Sequence, residues 1–213
     1  MSAPTAVDET RAARKRRAIL EAAAEVFLRN GYAGTSMDEI AALAAVSKQT
    51  VYKHFADKKT LFTEFVTRTV DEAAEPVHAE VESLQDTGDV EADLRDLARR
   101  QLGMVMRPRL LQLRRLVIGE AGRFPELGQV FAERGPLRTM AAMATAFERL
   151  GARGLLTVGD TELAAAHFNW LVMSIPLNRA MLSGDDDAPD PAELDRYAAE
   201  GVRVFLAAYG PPA

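Results

Sequence analysis

One short stretch of the chain concentrates the side chains that bind phosphate groups and base edges. Ser47 is a typical first cap of a helix, and the helix it begins runs to about residue 54. Lysine ammonium groups favour phosphate, whereas amide and hydroxyl groups also hydrogen-bond to base edges. The exposed face of this helix is therefore a candidate DNA-contacting surface with six members: Lys48, Gln49, Thr50, Tyr52, Lys53 and His54.

A second short helix precedes it and completes a motif. Ser36 begins this helix, Glu39 follows three residues later as in a capping box, and the helix runs to about Ala44. A tight turn at residues 45–46 then leads to Ser47. Two short helices joined in this way predict a helix-turn-helix, in which the second helix enters the major groove. The apolar residues expected to pack between the helices are Ile40, Ala44, Val46 and Val51, and small Ala41 permits a close crossing.

These residues resemble the DNA-binding domain of the TetR family over positions 15–62. Residues 35–41 are similar to the family's second helix, 46–55 to its recognition helix, and 57–62 to the start of its fourth helix. The resemblance implies DNA binding, places the Tyr52 hydroxyl on a phosphate, and adds Thr35, Ser36 and Lys58 to the candidate contacts. The sequence departs at Ala45, where the family has glycine; alanine in a left-handed conformation costs roughly 1 kcal/mol.

Several of these assignments have a structural alternative. Lys48 and Lys58 each lie in the first turn of a capped helix, where backbone N–H groups favour an anion, but either could be a solvated charge. Tyr52 is either a phosphate contact or a half-buried packing residue, and His54 either contacts DNA or caps its helix. Residues 11–17 are either a solvated basic face or an arm that reaches a neighbouring groove.

Charge is divided unevenly along the chain. The net charge of −5 argues against nucleic-acid binding by the whole surface, but residues 1–60 carry +3 and the remainder −8. Only the first segment is therefore expected to meet a polyanion. Cysteine is absent, and no apolar run reaches the roughly 18 residues that suggest a membrane span. We expect a cytoplasmic protein without a membrane partner.

Helical periodicity predicts an all-α chain of nine or ten helices. The predicted organisation is an N-terminal arm and three-helix DNA-binding domain over residues 1–57, a connecting helix over 58–84, and a C-terminal domain over 85–213. The connecting helix would be about 40 Å long at 1.5 Å per residue, with a kink at Pro76. Residues 1–10 and 210–213 are expected to be frayed, and 185–187 to form a polar loop.

The C-terminal domain resembles the AefR-like domain of some TetR regulators at residues 113–127. That resemblance implies small-molecule binding and dimerisation. A helix predicted over residues 161–182 is apolar in nearly every direction, so it is buried either wholly within one chain or against the partner subunit of a homodimer. Pro176 is expected to kink it.

A small-molecule effector is expected to be apolar or amphipathic, because this domain is rich in methionine and aromatic residues. Met140, Met143 and Phe147 share one helical face, which lines either a pocket or the plain core. Glu120 either anchors a polar ligand group or forms a structural ion pair. The candidate ligand-binding residues are Met104, Glu120, Met140, Met143, Phe147, Trp170 and Met173.

Two other functions are alternatives to a ligand-responsive regulator. An enzyme is disfavoured, since the chain has no glycine-rich phosphate loop, no nucleophile elbow and only three histidines without metal-ligand spacing. No cofactor or metal is expected. The second is a DNA-binding regulator without a small-molecule ligand. We expect a dimeric repressor that binds a double-stranded palindromic operator and is released by the effector, and the sequence leaves activation open.

Overall fold

The computed structural model describes residues 10–183 and 189–211, and every regular element in these ranges is helical. The all-α prediction is confirmed. The predicted loop at 185–187 and most of the predicted frayed ends lie outside the described residues. The α-helices of the described part are α1 (Arg11–Gly34), α2 (Met37–Leu43), α3 (Lys48–His54), α4 (Lys58–Ser83), α5 (Val90–Val105), α6 (Pro108–Ala121), α7 (Pro125–Ala132), α8 (Arg138–Ala152), α9 (Thr161–Ser183) and α10 (Pro191–Tyr209).

The chain divides into two compact units, Met1–Thr67 and Arg68–Ala213. The division falls inside α4, the helix that the sequence predicts to be a connector. Helix α4 therefore contributes its first ten residues to one unit and the rest to the other. A short 3-10 turn, Leu84–Asp86, follows α4 within the second unit.

An aromatic cluster forms the core of the first unit. Phe27 of α1 meets Phe62 of α4 edge-on with ring centroids 4.8 Å apart, and Tyr32 lies 5.1 Å from the same ring. Gly31 has φ +72°, so the regular path of α1 is interrupted there and Tyr32 can turn back onto the cluster. The predicted apolar stripe of α1, which includes Ile19 and Val26, is fully buried.

Two details of the predicted helix starts are wrong. Ser36 accepts a hydrogen bond from the Glu39 N–H as predicted, but the Glu39 carboxylate is bound by Arg29 and Asn30 of α1 instead of completing the capping box. Pro136 directly follows Gly135, a pattern that predicts the first residue of a new helix. It instead lies within a π-helical turn, Glu133–Leu137, that joins α7 to α8. The Glu39 carboxylate accepts hydrogen bonds from Arg29 and Asn30, and a capping rule that considers only neighbouring residues does not include such a contact.

The core of the second unit is built on α5, α8, α9 and α10. Phe147, Phe168 and Phe205 come from α8, α9 and α10, and their ring centroids lie 5.1–5.8 Å apart. Helix α10 approaches α9 closely at Gly201. A Cβ atom at this glycine would lie 2.9 Å from Val172 Cγ2 and 3.2 Å from Val172 Cα, so the crossing requires the absence of a side chain.

This close approach predicts opposite effects of the same substitution at two helical glycines. Gly201→Ala should destabilise the fold by about 1–3 kcal/mol, because the new methyl group overlaps backbone atoms of α9. Gly103→Ala in α5 has no atom near the added Cβ and should stabilise by up to about 1 kcal/mol through helix propensity. Denaturant unfolding of both variants measures these shifts. Equal effects at the two sites would contradict the proposed packing of α10 on α9.

Candidate DNA-contacting surface and ligand cavity

Helices α2 and α3 form the predicted helix-turn-helix. Ile40 and Val51 are fully buried where the two helices pack, whereas Val46 is half-buried. Ala45 adopts φ +52°, the left-handed conformation that the sequence predicts for this turn. The turn is closed by a hydrogen bond of 3.0 Å from the Val46 N–H to the Ala41 carbonyl. The alanine therefore retains the turn geometry despite its Cβ.

Helix α3 presents most of its predicted polar face to solvent. Lys48, Gln49, Tyr52 and Lys53 are exposed, and Tyr52 retains 45% of its accessible surface despite its large ring. Thr50 is half-buried, and its hydroxyl is hydrogen-bonded to Ser47 Oγ at 2.8 Å. His54, also half-buried, ends the helix beside the ring of Phe55. Ser36 is exposed, with its hydroxyl used as the helix cap.

An exposed ion pair joins the two helices of the motif. Lys48 Nζ lies 2.8 Å from Asp38 Oδ1, and the hydrogen bond with this carboxylate raises the pKa of Lys48. Both side chains are more than half exposed, and surface ion pairs of this kind contribute little stability. A phosphate group can therefore compete with Asp38 for the lysine.

The Thr35 and Lys58 side chains make hydrogen bonds inside the domain, and their contact with DNA stays a prediction. The Thr35 side chain is buried and donates to the Gly31 carbonyl at 2.7 Å. Lys58 Nζ donates to the carbonyls of Tyr32, Ala33 and Thr35 at 2.8, 3.3 and 2.9 Å. These carbonyls lie at the C-terminal end of α1, and the ammonium group can donate one of its three protons to each of them.

This difference between two lysines at the start of helices predicts different stabilities. Lys58→Met should destabilise the protein by about 1–3 kcal/mol, because it removes the ammonium group that donates to three carbonyls at the end of α1. Lys48→Met should leave the stability nearly unchanged, since its ion pair is exposed. Urea unfolding with an unchanged m-value checks both. A Lys58→Met protein as stable as Lys48→Met would show that the hydrogen bonds of Lys58 with the end of α1 contribute little to stability.

The second unit contains a small cavity of about 40 Å³. Its wall includes residues of α4 to α9 and of the π-helical turn. Three predicted ligand residues, Met104, Trp170 and Met173, line it. Five further polar or aromatic residues that line the cavity are not among the predicted ligand residues: Gln101, Arg114, Phe131, Thr139 and Asn169.

The other predicted ligand residues do not line this cavity. Met143 and Phe147 are fully buried in the core, because the face of α8 that they share packs toward α9 and α10. Met140 borders a separate open groove beside α9, and Glu120 is half-buried on α6. Met143 and Phe147 therefore belong to the core, the second of the two alternatives for this face, whereas Met140 lies beside the groove.

The cavity has polar groups set into an apolar wall. Gln101 Nε2 donates to Asn169 Oδ1 at 3.0 Å, while Gln101 Oε1 is buried without a hydrogen-bond partner. The Arg114 guanidinium lies over the ring of Phe131, with Cζ 5.3 Å from the ring centroid. Burial lowers the pKa of Arg114 from its usual range. Next to the cavity, Thr139 is hydrogen-bonded to His78, whose pKa burial also lowers.

A signal for two of the missed residues was present in the sequence. Gln101 occupies the apolar stripe of α5, seven residues after Leu94 and three after Ala98. Arg114 lies four residues after Leu110 and three before Val117, both of which are buried. A polar residue at such a position on a helix is expected to be buried with the stripe.

The described residues contain no group of three or more histidine, cysteine or acidic side chains that could hold a metal ion. None of the described helices is sufficiently long and apolar to cross a membrane.

Comparisons with known proteins agree with this geometry. Residues 19–65 match the family model of bacterial regulatory proteins of the tetR family. Residues 92–211, more than half of the chain, match the AefR-like transcriptional repressor C-terminal domain. The chain belongs to the TetR family of transcriptional regulators. The motif formed by α2 and α3 is therefore a DNA-binding helix-turn-helix.

Relatives with solved structures support the assignment over nearly the whole chain. A TetR-family regulator from Mesorhizobium loti is 45% identical, with a TM-score of 0.89 over 95% of this chain and 100% of that one. The flavonoid-responsive regulator FrrA is 33% identical, with a TM-score of 0.71 over 94% and 99%.

Curated relatives match over a short part of this chain. The transcriptional activator FasR of Mycolicibacterium smegmatis is 46% identical over 57 residues, which are 27% of this chain. The match covers 26% of the length of FasR and 36% of the length of a second curated relative, a transcriptional regulator from Bacillus subtilis. What those relatives do as whole proteins is therefore not transferred to this TetR regulator.

Proposed function

We propose that this TetR-family protein is a homodimeric repressor that binds an inverted-repeat operator and is released by a small amphipathic effector. The observation that carries the proposal is a complete helix-turn-helix with an exposed polar face in one unit and a cavity with buried polar groups in the other. The matched AefR-like domain, described as a repressor domain, supports repression. The similarity to the activator FasR covers only 57 residues, 27% of this chain.

In the proposed complex, α3 lies in the major groove and its residues divide into two roles. Lys48, Tyr52 and Lys53 bind phosphates, which positions the helix without reading sequence. Gln49, whose amide donates and accepts, reads a base edge. Thr50 can reach a base only if its hydroxyl also keeps Ser47 as a partner, which makes it the weaker reader. His54 contacts the backbone at the end of the helix.

The exposed side of α9 supports the homodimer. The helix buries one face, but the opposite face exposes an apolar stripe at helical spacing, with Ile175 retaining 61% and Trp170 47% of their accessible surface. The other members are Leu163, Leu171 and Leu182. A contiguous apolar surface of this kind is typical of an interface, and a two-fold dimer covers both copies at once. Two subunits would place their recognition helices about 34–36 Å apart, or a multiple of one DNA turn.

The cavity supports an effector, but only after it widens. A volume of about 40 Å³ holds a few water molecules, whereas sites for drug-sized compounds are roughly 300–1,000 Å³. Met104 and Met173 can adopt other rotamers at low energy and thereby enlarge the space. FrrA is flavonoid-responsive by name, so flavonoids are included among the compounds to test. The small volume is also the observation that favours the alternative, a regulator without a small-molecule ligand.

Helix α4 provides the proposed route from effector to operator. Val70, Ala73 and Ala74 line the cavity, and the same helix begins at Lys58, which holds the end of α1. A ligand that widens the cavity changes the packing of α4. Operator affinity then falls by no more than the ligand's preference for the state that does not bind DNA.

One experiment tests the proposal: fluorescence anisotropy with an operator selected from genomic fragments. Gln49→Ala should relax the preference at one base pair by roughly 1–3 kcal/mol. Lys53→Ala should weaken binding to all sequences alike and reduce the slope of log affinity against log salt by about one unit. An unchanged base preference in Gln49→Ala, or a direct-repeat operator, would contradict the proposed mode of binding.

The second arm of the same experiment adds effectors. A panel of apolar and amphipathic compounds, including a flavonoid, is titrated into the protein–operator complex. At least one compound should lower operator affinity, and Trp170, the only tryptophan of the chain, should report its entry by a change in fluorescence. If no compound changes operator affinity while DNA binding is intact, the regulator without a small-molecule ligand is the better description.

A further inference from the structure

The cavity of the second unit is lined by a positively charged side chain, that of Arg114, which no carboxylate of the described residues neutralises. Arg114 lies along the cavity wall, and no carboxylate or hydrogen-bond acceptor of the described residues binds its guanidinium. The guanidinium lies instead over the face of the Phe131 ring. The adjacent Arg115 differs, because it donates to the Ala180 carbonyl at 2.6 Å. A half-buried charge without a counter-ion is costly and is expected where a ligand supplies the opposite charge.

The cavity also contains an unused acceptor. Gln101 is buried, and its Oε1 atom accepts no hydrogen bond, although its Nε2 atom is held by Asn169. Almost all buried polar atoms in native proteins are paired, so an orphan that lines a cavity indicates a missing partner. Because Oε1 is an acceptor, that partner must be a donor such as a hydroxyl group.

We propose that the effector is an organic monoanion with an apolar, aromatic-compatible body and a hydroxyl group, the anion binding Arg114 and the hydroxyl donating to Gln101. This inference rests on the proposed function, since it assigns ligand chemistry to the same cavity. One guanidinium matches one carboxylate or phenolate, through paired hydrogen bonds. The aromatic rings of Phe131 and Trp170 and the flexible Met104 and Met173 side chains suit the apolar body.

The identity of the lining residues excludes two other ligand classes. A polyphosphate would require several cations, but Arg114 is the only lysine or arginine among the residues described as lining the cavity. A fully apolar ligand would leave both Arg114 and Gln101 buried without partners, and it would seal them further from water. Its binding would therefore be opposed by the same two groups that favour an anion.

The test uses four probes of nearly equal shape: 3-phenylpropanoate, 3-(4-hydroxyphenyl)propanoate and the primary amides of both. Dissociation constants are measured on the full-length protein without DNA, by Trp170 fluorescence and calorimetry. In the wild type, each acid should bind about tenfold or more tightly than its amide, as expected for a charge-assisted hydrogen bond. The hydroxyl group should add about threefold to tenfold.

Variants assign these preferences to residues. In Arg114→Met and Arg114→Gln the ratio between acid and amide should fall close to one, while the amides bind within about threefold of wild type. Arg109→Met, an exposed arginine of the same helix that does not line the cavity, is the control for net charge and should retain the ratio. In Gln101→Met the advantage of the hydroxyl group should disappear. Each comparison is a ratio within one variant, so a general loss of stability cancels.

A merely structural Arg114 gives a different result. Arg114→Met would then lower the thermal midpoint of the ligand-free protein, whereas removal of an unneutralised charge should leave it unchanged or raise it. Amides that bind as tightly as acids, or acids that bind Arg114→Met as tightly as wild type, overturn the inference even if these compounds release the operator. Failure of all four probes to bind overturns it as well. Acids that bind through Arg114 without changing operator affinity support the inference but refute the proposed regulation.

Discussion

Helix α4 is packed at both of its ends, and this constraint connects the two functional regions. Near its start, Phe62 and Phe65 belong to the aromatic cluster around Phe27. Farther along, Val70 lines the cavity, and Val77 is fully buried in the second unit's core. The segment of α4 between Phe62 and Val70 contains no proline or glycine, so in the proposed route a change in packing at the cavity wall would be carried along this segment.

The polar groups of the cavity explain how such a helix can respond to a ligand. In the proposed mechanism, a ligand would pair with the buried Gln101 Oε1 atom and the half-buried Arg114 guanidinium, which have no hydrogen-bond partner among the described residues. Such a ligand would gain more in a widened cavity than in a closed one, and this difference would shift a conformational equilibrium. Val70 lies against the π-helical turn, where a Cβ atom at Gly135 would be 3.1 Å from Val70 Cγ1. Widening the cavity therefore involves α4 itself.

Local patterns predicted the fold class, the helix-turn-helix and the left-handed turn at Ala45, because each depends on residues close together in the chain. The roles of Lys58 and Glu39 were not predictable in this way. Each binds a group of α1 more than eight residues away in the sequence. A capping rule that considers only neighbouring residues carries no information on such a partner. In the second unit, the helical spacing of Met140 and Met143 showed that a face was apolar but not what it packs against.

The buried polar residues could have been found in the sequence. Gln101 and Arg114 interrupt otherwise apolar stripes of α5 and α6, and a polar residue in such a stripe is either exposed by the packing or held there by a partner. The choice between these depends on the neighbouring helices, which the stripe itself does not specify. The structure resolves it, since α9 brings Asn169 to Gln101 and α7 brings Phe131 to Arg114.

The most direct test of the account is the effect of an interrupted α4 on the coupling between cavity and operator. The measured quantity is the ratio of operator dissociation constants with and without 3-(4-hydroxyphenyl)propanoate, for wild type, for a Thr67→Gly, Arg68→Gly variant and for the matched double alanine control. Glycine weakens a helix by about 1 kcal/mol per residue relative to alanine. We predict that the glycine variant still binds operator and probe separately but that its ratio falls toward one, while the alanine control retains the wild-type ratio. A glycine variant with the full wild-type ratio would contradict the role assigned to α4.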